Sequence, residues 1–203
     1  LVSVFVTGYL TLAVIGPIFT TLEDGIINGV QALIQLPYGI GSFVMGGLYA
    51  ITVVAGIHHM YTLIDVGQLA KFGYTYWLPL ASAANVAQGG AALAVALKSK
   101  NAKVKSMALP SALSACMGIT EPAIFGVNLR YFKPFIGGLL GGACGAWYAS
   151  IVGLGATGTG VTGIFGILLH LHMPLQYIIA MLIAFGVAFA VTWVIWKPEE
   201  ENA

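Results

Sequence analysis

Long apolar runs broken by short polar stretches dominate the chain. Residues 1–21 are almost free of charged and amide side chains and stop just before Glu23-Asp24. About 20 apolar residues in a helix cross a bilayer core, so this run predicts a transmembrane helix. Residues 40–57, 77–97, 135–153 and 175–196 read the same way. The first of these carries Gly41, Gly46 and Gly47, and residues 135–153 carry Gly137, Gly138, Gly141, Gly142 and Gly145. Small residues four apart favour close approach of helix backbones in lipid. Trp193 and Trp196 fall where indoles prefer the membrane interface, and Lys197-Pro198-Glu199-Glu200-Glu201 stops the last span.

The stretches between the spans carry the polar pattern. In residues 25–38, Asn28, Gln31 and Gln35 recur at helical spacing among Ile26, Ile27, Val30, Leu33 and Ile34. That pattern fits an amphipathic helix at the interface, or a helix that turns one polar face into the bundle. Residues 60–76 hold Asp65, Gln68 and Lys71 and are too polar to span, so they read as a hairpin or an interfacial segment. Lys98, Lys100, Lys103 and Lys105 fall in one short polar loop, which the positive-inside rule puts in the cytoplasm. Arg130 and Lys133-Pro134 mark a return to the interface.

Composition settles the class. Of 203 residues, 59% are hydrophobic and 7% charged, with a mean hydropathy of +0.92, which lies outside the range of soluble domains. A formal charge of +1 leaves no basic field for nucleic acid, so a nucleic-acid partner is excluded and membrane lipid expected. The chain begins with Leu1 and shows no charged segment ahead of an apolar core, so it reads as a fragment with no recognisable signal peptide. Cys116 and Cys144 lack metal-ligand spacing and read as packing residues. Residues 153–163 twice fit Gly-x-Gly-x-x-Gly, but they lie between membrane segments, with no acid between Glu121 and Glu199. A dinucleotide site needs a preceding strand and a following acid, so a bent connection or second hairpin is the better account. His170 and His172 are read as structural hydrogen-bonding residues rather than metal ligands.

Glu121 stands apart because a carboxylate within an apolar membrane sequence costs about 2.5–3.5 kcal/mol to insert and therefore points to a polar cavity. Pro122 follows it and glycines flank it, which predicts a broken or re-entrant helix of the kind that lines substrate sites. Two further sets of polar residues stand out. His58 and His59 are adjacent and cannot share one helix face, so one of the two is expected at the site and the other to be structural. Asn85 and Gln88, three apart, share a face and offer amide groups suited either to sugar hydroxyls or to joining helices.

Residues 118–130, Gly-Ile-Thr-Glu-Pro-Ala-Ile-Phe-Gly-Val-Asn-Leu-Arg, closely resemble the Gly-Ile-Thr-Glu-Pro signature of the membrane (IIC) component of sugar permeases in the bacterial phosphoenolpyruvate-dependent phosphotransferase system. Gly56-Ile57-His58-His59 and residues 78–93 extend the resemblance to the sucrose, trehalose and β-glucoside branch of the glucose superfamily. The resemblance implies an all-α polytopic membrane bundle with broken or re-entrant hairpins. It also implies two parts: residues 1–38 as the end of a scaffold half with a linker helix, and residues 39–203 as the transport domain. Implied substrate-binding residues are Glu121, His58, His59, Asn85, Gln88, Thr120, Asn128 and Arg130. Implied partners are a disaccharide, the IIB and IIA domains, and a second copy joined through the upstream half as a homodimer in the bacterial inner membrane. The lysine-rich loop becomes a possible docking surface for IIB. No catalytic residue, cofactor or metal is assigned, because the phosphoryl-carrying cysteine of the family belongs to IIB. The competing expectations are a proton-coupled secondary sugar transporter, in which Glu121 would titrate, and a non-transporting membrane scaffold.

Overall fold

The computed structural model describes Tyr9, Gly25, residues 28–34 and residues 36–198. The expected first span, apart from Tyr9, and the acidic run Glu199-Glu200-Glu201 lie outside the described residues. Six main helices follow one another: α1 (Ile40–Val54), α2 (Tyr61–Phe72), α3 (Trp77–Lys98), α4 (Ala102–Cys116), α5 (Lys133–Ile151) and α6 (Pro174–Ile195). No strand occurs among the described residues; one isolated bridge joins Thr75 to Ala156. Pro37–Val54, Trp77–Lys98 and Pro174–Ile195 are long and apolar enough to cross a membrane. The protein is thus an all-α membrane bundle. Its α5 is 19 residues long but is not among those three, because glycines dilute its apolar character.

α3 is the central post. Half of its residues are alanine, glycine or serine, and it is buried over nearly its whole length against α1, α4, α5 and α6. Small side chains on all sides let four neighbours approach at once. The glycines of α5 serve the same end: a Cβ on Gly141 would run into the Ala184 carbonyl and the Ala188 side chain of α6.

The expected loop of four lysines is shorter than its charge pattern suggests. α3 runs through Lys98 and α4 starts at Ala102, so Lys103 and Lys105 belong to the helix and only Ser99–Asn101 connect the two. Asn101 caps α4 by accepting from the Lys103 amide at 2.9 Å. Lys98 is drawn away from solvent: its ammonium donates to the carbonyls of Trp193 and Trp196, satisfying the open end of α6.

At 15 residues α4 rises about 22 Å, short of the roughly 30 Å hydrocarbon core. The chain then reverses at residues 117–120 and returns as a broken helix made of Glu121–Ala123, a π-helical turn Ile124–Asn128, and Leu129–Tyr131. These returning pieces pack against α4 and α3, which makes α4 and its return a re-entrant hairpin. Residues 28–34 are helical and bury Val30 and Ile34 against Ile64, Trp77, Leu80 and Ala146. Their polar face meets α2: Gln68 donates to Gln31 at 3.0 Å and Lys71 donates to Asn28 at 2.8 Å. Of the two readings of this segment, the structure shows the polar face turned onto a neighbouring helix.

Candidate substrate site

The site starts where α1 ends. Past Val54 the chain turns through Gly56 into a single 3-10 turn, His58–Met60, and this turn faces the start of the returning broken helix. His58 Nε2 lies 3.9 Å from Glu121 Oε1. The Glu121 side chain is 49% exposed and that of His58 16%. A separation of 3.9 Å is too long for a direct hydrogen bond, yet a single hydroxyl oxygen placed about 2.8 Å from each atom fits between them. Burial, followed by the neighbouring His59 ring, pulls the His58 imidazole below the ordinary histidine range, and Glu121 pulls the other way. A carboxyl group facing an imidazole offers oxygen acceptors beside a ring nitrogen, a set suited to the hydroxyls of a polyol. Nδ1 of His58 is buried without a hydrogen-bond partner among the described residues.

The other expected residues separate into groups. His59 is exposed and its ring lies tilted against that of His58, with ring centres 4.0 Å apart. Thr120 is buried directly before Glu121. Asn128 donates to both the backbone carbonyl of Gln88, at 2.9 Å, and its side-chain oxygen, at 2.8 Å, deep in the bundle. Gly138 of α5 makes room for that pair, since a Cβ there would lie 2.6 Å from the Gln88 amide carbon. Asn85 donates to the Thr162 hydroxyl at 3.0 Å. Arg130 is exposed at the far end of the broken helix, beside a cavity of about 300 Å³ lined also by Asn101, Lys103 and Ser106. The structure therefore brings His58 and Glu121 together, pairs Gln88 with Asn128, and sets Arg130 apart.

Three aromatic residues missed by the sequence reading lie close by. Tyr49, Tyr61 and Trp77 form a cluster with centroid separations of 4.5–6.3 Å, and Tyr49 is within electrostatic reach of Glu121. Only Tyr61 had a local signal, sitting three positions past His58; the others come from separate helices.

Residues 1–142 match the family described as Phosphotransferase system, EIIC. The chain belongs to this EIIC family. Relatives of the EIIC chain include the sucrose-specific EIIBC component of Salmonella typhimurium, 45% identical over 98% of this chain and 44% of the relative. The sucrose-specific EIIBC component of Bacillus subtilis (strain 168) is 42% identical over 99% of this chain and 44% of the relative. The trehalose-specific EIIBC component of the same bacterium is 36% identical over 82% of this chain. The EIIC chain spans less than half the length of these relatives, and the family and branch read from its motifs are borne out. No solved structure matches it.

Proposed function

We propose that this chain is the substrate-handling part of a disaccharide-specific membrane component of a phosphoenolpyruvate-dependent phosphotransferase system in a bacterial inner membrane. The observation that carries this reading is the 3.9 Å separation of Glu121 and His58, a spacing a hydroxyl group can bridge, with the Glu121 side chain half exposed. Glu121 accepts from sugar hydroxyls, His58 supplies the opposing nitrogen, Thr120 lies alongside, and Tyr49 and Tyr61 offer ring faces. His59 flanks the site and Arg130 stands apart from it, while Gln88 and Asn128 hold the broken helix onto α3. Sucrose is the first candidate because the relatives at 45% and 42% identity are sucrose-specific components. The sugar would be phosphorylated by a IIB domain recharged through IIA. Residues 39–203 form the transport domain, residues 1–38 close a scaffold half, and the scaffold carries the homodimer contact.

The test is uptake of labelled sucrose and trehalose by cells carrying the full permease, with and without a working phosphoenolpyruvate supply. The expected product is intracellular sugar phosphate, formed only when phosphoenolpyruvate is available. Free sugar accumulating at a rate that follows the proton gradient would overturn the proposal in favour of secondary transport.

A further inference from the structure

Two turns that are far apart in sequence meet behind Glu121. One is the reversal of the re-entrant hairpin, where Gly118 takes φ +102°; the other is the end of the glycine-rich connection after α5, where Gly163 takes φ +67°. Both angles favour glycine. The contact is backbone to backbone: a Cβ on Gly163 would lie 2.7 Å from the Gly118 nitrogen, and one on Gly118 would lie 2.6 Å from the Thr162 hydroxyl. Asn85 of α3 closes the junction. Its amide donates to the Thr162 hydroxyl at 3.0 Å and lies 3.5 Å from the Gly118 carbonyl.

The second turn is held from behind. Tyr177 of α6 donates to the Gly163 carbonyl at 2.5 Å. His170, fully buried, stacks on Tyr177 at 4.3 Å with its Nδ1 2.7 Å from the Gly166 carbonyl. The path from α6 through Gly163 and Thr162 to Gly118 thus ends three residues before Glu121. Glu121 opens its helical piece with no side-chain cap on the residue before it. The carboxylate's position therefore follows from the turn that precedes it.

We infer that Thr162, held by Asn85, is a positioning residue for Glu121: it fixes the hairpin turn and so sets the place at which the carboxylate meets a sugar hydroxyl. This rests on the sugar-site reading above. The amide of Asn85 thereby works through Thr162 and not by direct contact with sugar.

The test is a double-mutant cycle on the full permease, reading equilibrium sucrose affinity on monodisperse protein in detergent. Thr162→Val keeps the shape and removes the hydroxyl, and it should weaken affinity by roughly five- to tenfold, the scale of one lost hydrogen bond. Thr162→Ser should stay within about twofold of the parent, on the same scale. Added to Glu121→Gln, Thr162→Val should cost less than about twofold more, since coupled sites are not additive. Should Thr162→Val fail to fold, Thr162→Ala removes the same hydroxyl with less bulk and enters the same cycle. Full additivity with Glu121→Gln, or unchanged affinity in both hydroxyl-free variants, would overturn the positioning role while leaving the sugar site intact. If Glu121→Gln alone leaves affinity unchanged, the sugar-site reading itself falls, and with it this inference.

Discussion

Replacing Asp65 by asparagine should remove a pH-dependent loss of stability whose size follows from its surroundings. Asp65 lies in α2, 6% exposed, and its partners are neutral: Thr75 donates to Oδ1 at 2.6 Å, and the Thr159 hydroxyl lies 3.5 Å from Oδ2. Burial raises its carboxyl from an ordinary 3.8 to about 6, against the opposing pull of those two hydroxyls. The native state therefore binds this proton more tightly than the unfolded chain. Stability contributed by the protonated acid is fully present below pH 4 and is lost as pH rises to about 6. A rise of about 2 pKa units at 1.36 kcal/mol each makes the loss about 3 kcal/mol, complete above that pH. The asparagine of the variant does not titrate but keeps an oxygen for Thr75. Thermal unfolding in detergent at constant ionic strength, from pH 4 to pH 8, should show Asp65→Asn and parent close together at the acid end. At pH 8 the variant should be the more stable. Every other ionisable group is common to both proteins, so the difference between the two curves isolates Asp65. A difference that stays flat with pH, or that grows towards acid, would refute the reasoning.

Glu121→Gln keeps the side-chain shape but removes the charge, and should weaken sucrose binding by roughly 10- to 100-fold, the range of a lost charged hydrogen bond; unchanged affinity in folded protein would remove Glu121 from the site. His58→Ala should abolish uptake while His59→Ala is milder, because His58 lies within 3.9 Å of Glu121 and His59 is exposed; the reverse order at equal expression would reassign the role. Gly141→Ala drives a methyl group into the Ala184 carbonyl of α6 and should destabilise the bundle by about 1–3 kcal/mol, read as a lower melting temperature; an unchanged value would contradict the close α5–α6 contact.

Much of this architecture was legible because membrane helices announce themselves through apolar length. The helix expected over residues 77–97 ends one residue later, and that over 175–196 is offset by one residue at each end. Glu121 stood out for the same physical reason, as a costly charge in an apolar run next to a helix breaker. The lysine cluster misled because charge marks a boundary only loosely: Lys98 folds back onto the carbonyls of α6, and Lys103 and Lys105 continue a helix. Thr162 gave no signal at all. A threonine among glycines has neither charge nor periodicity, and its partner Asn85 lies 77 positions away.

The three-residue spacing of Asn85 and Gln88 correctly put both amides on one face of α3, but it could not say what that face meets. It meets two different things. Gln88 receives Asn128 from the π-helical turn, and Asn85 reaches the junction of the hairpin reversal with the glycine-rich connection. The broken helix that begins at Glu121 is thus tied to α3 at two levels, before the carboxylate through Gly118 and after it through Asn128. α3 itself is packed on all sides with small residues and has little freedom to shift. A charge placed between two such ties keeps its position against its tendency to reach for water, and half exposure on one side leaves it open to a ligand. The burial of α3 on every side, which two amides on one face could not announce, is the mark of the element that holds the others in register.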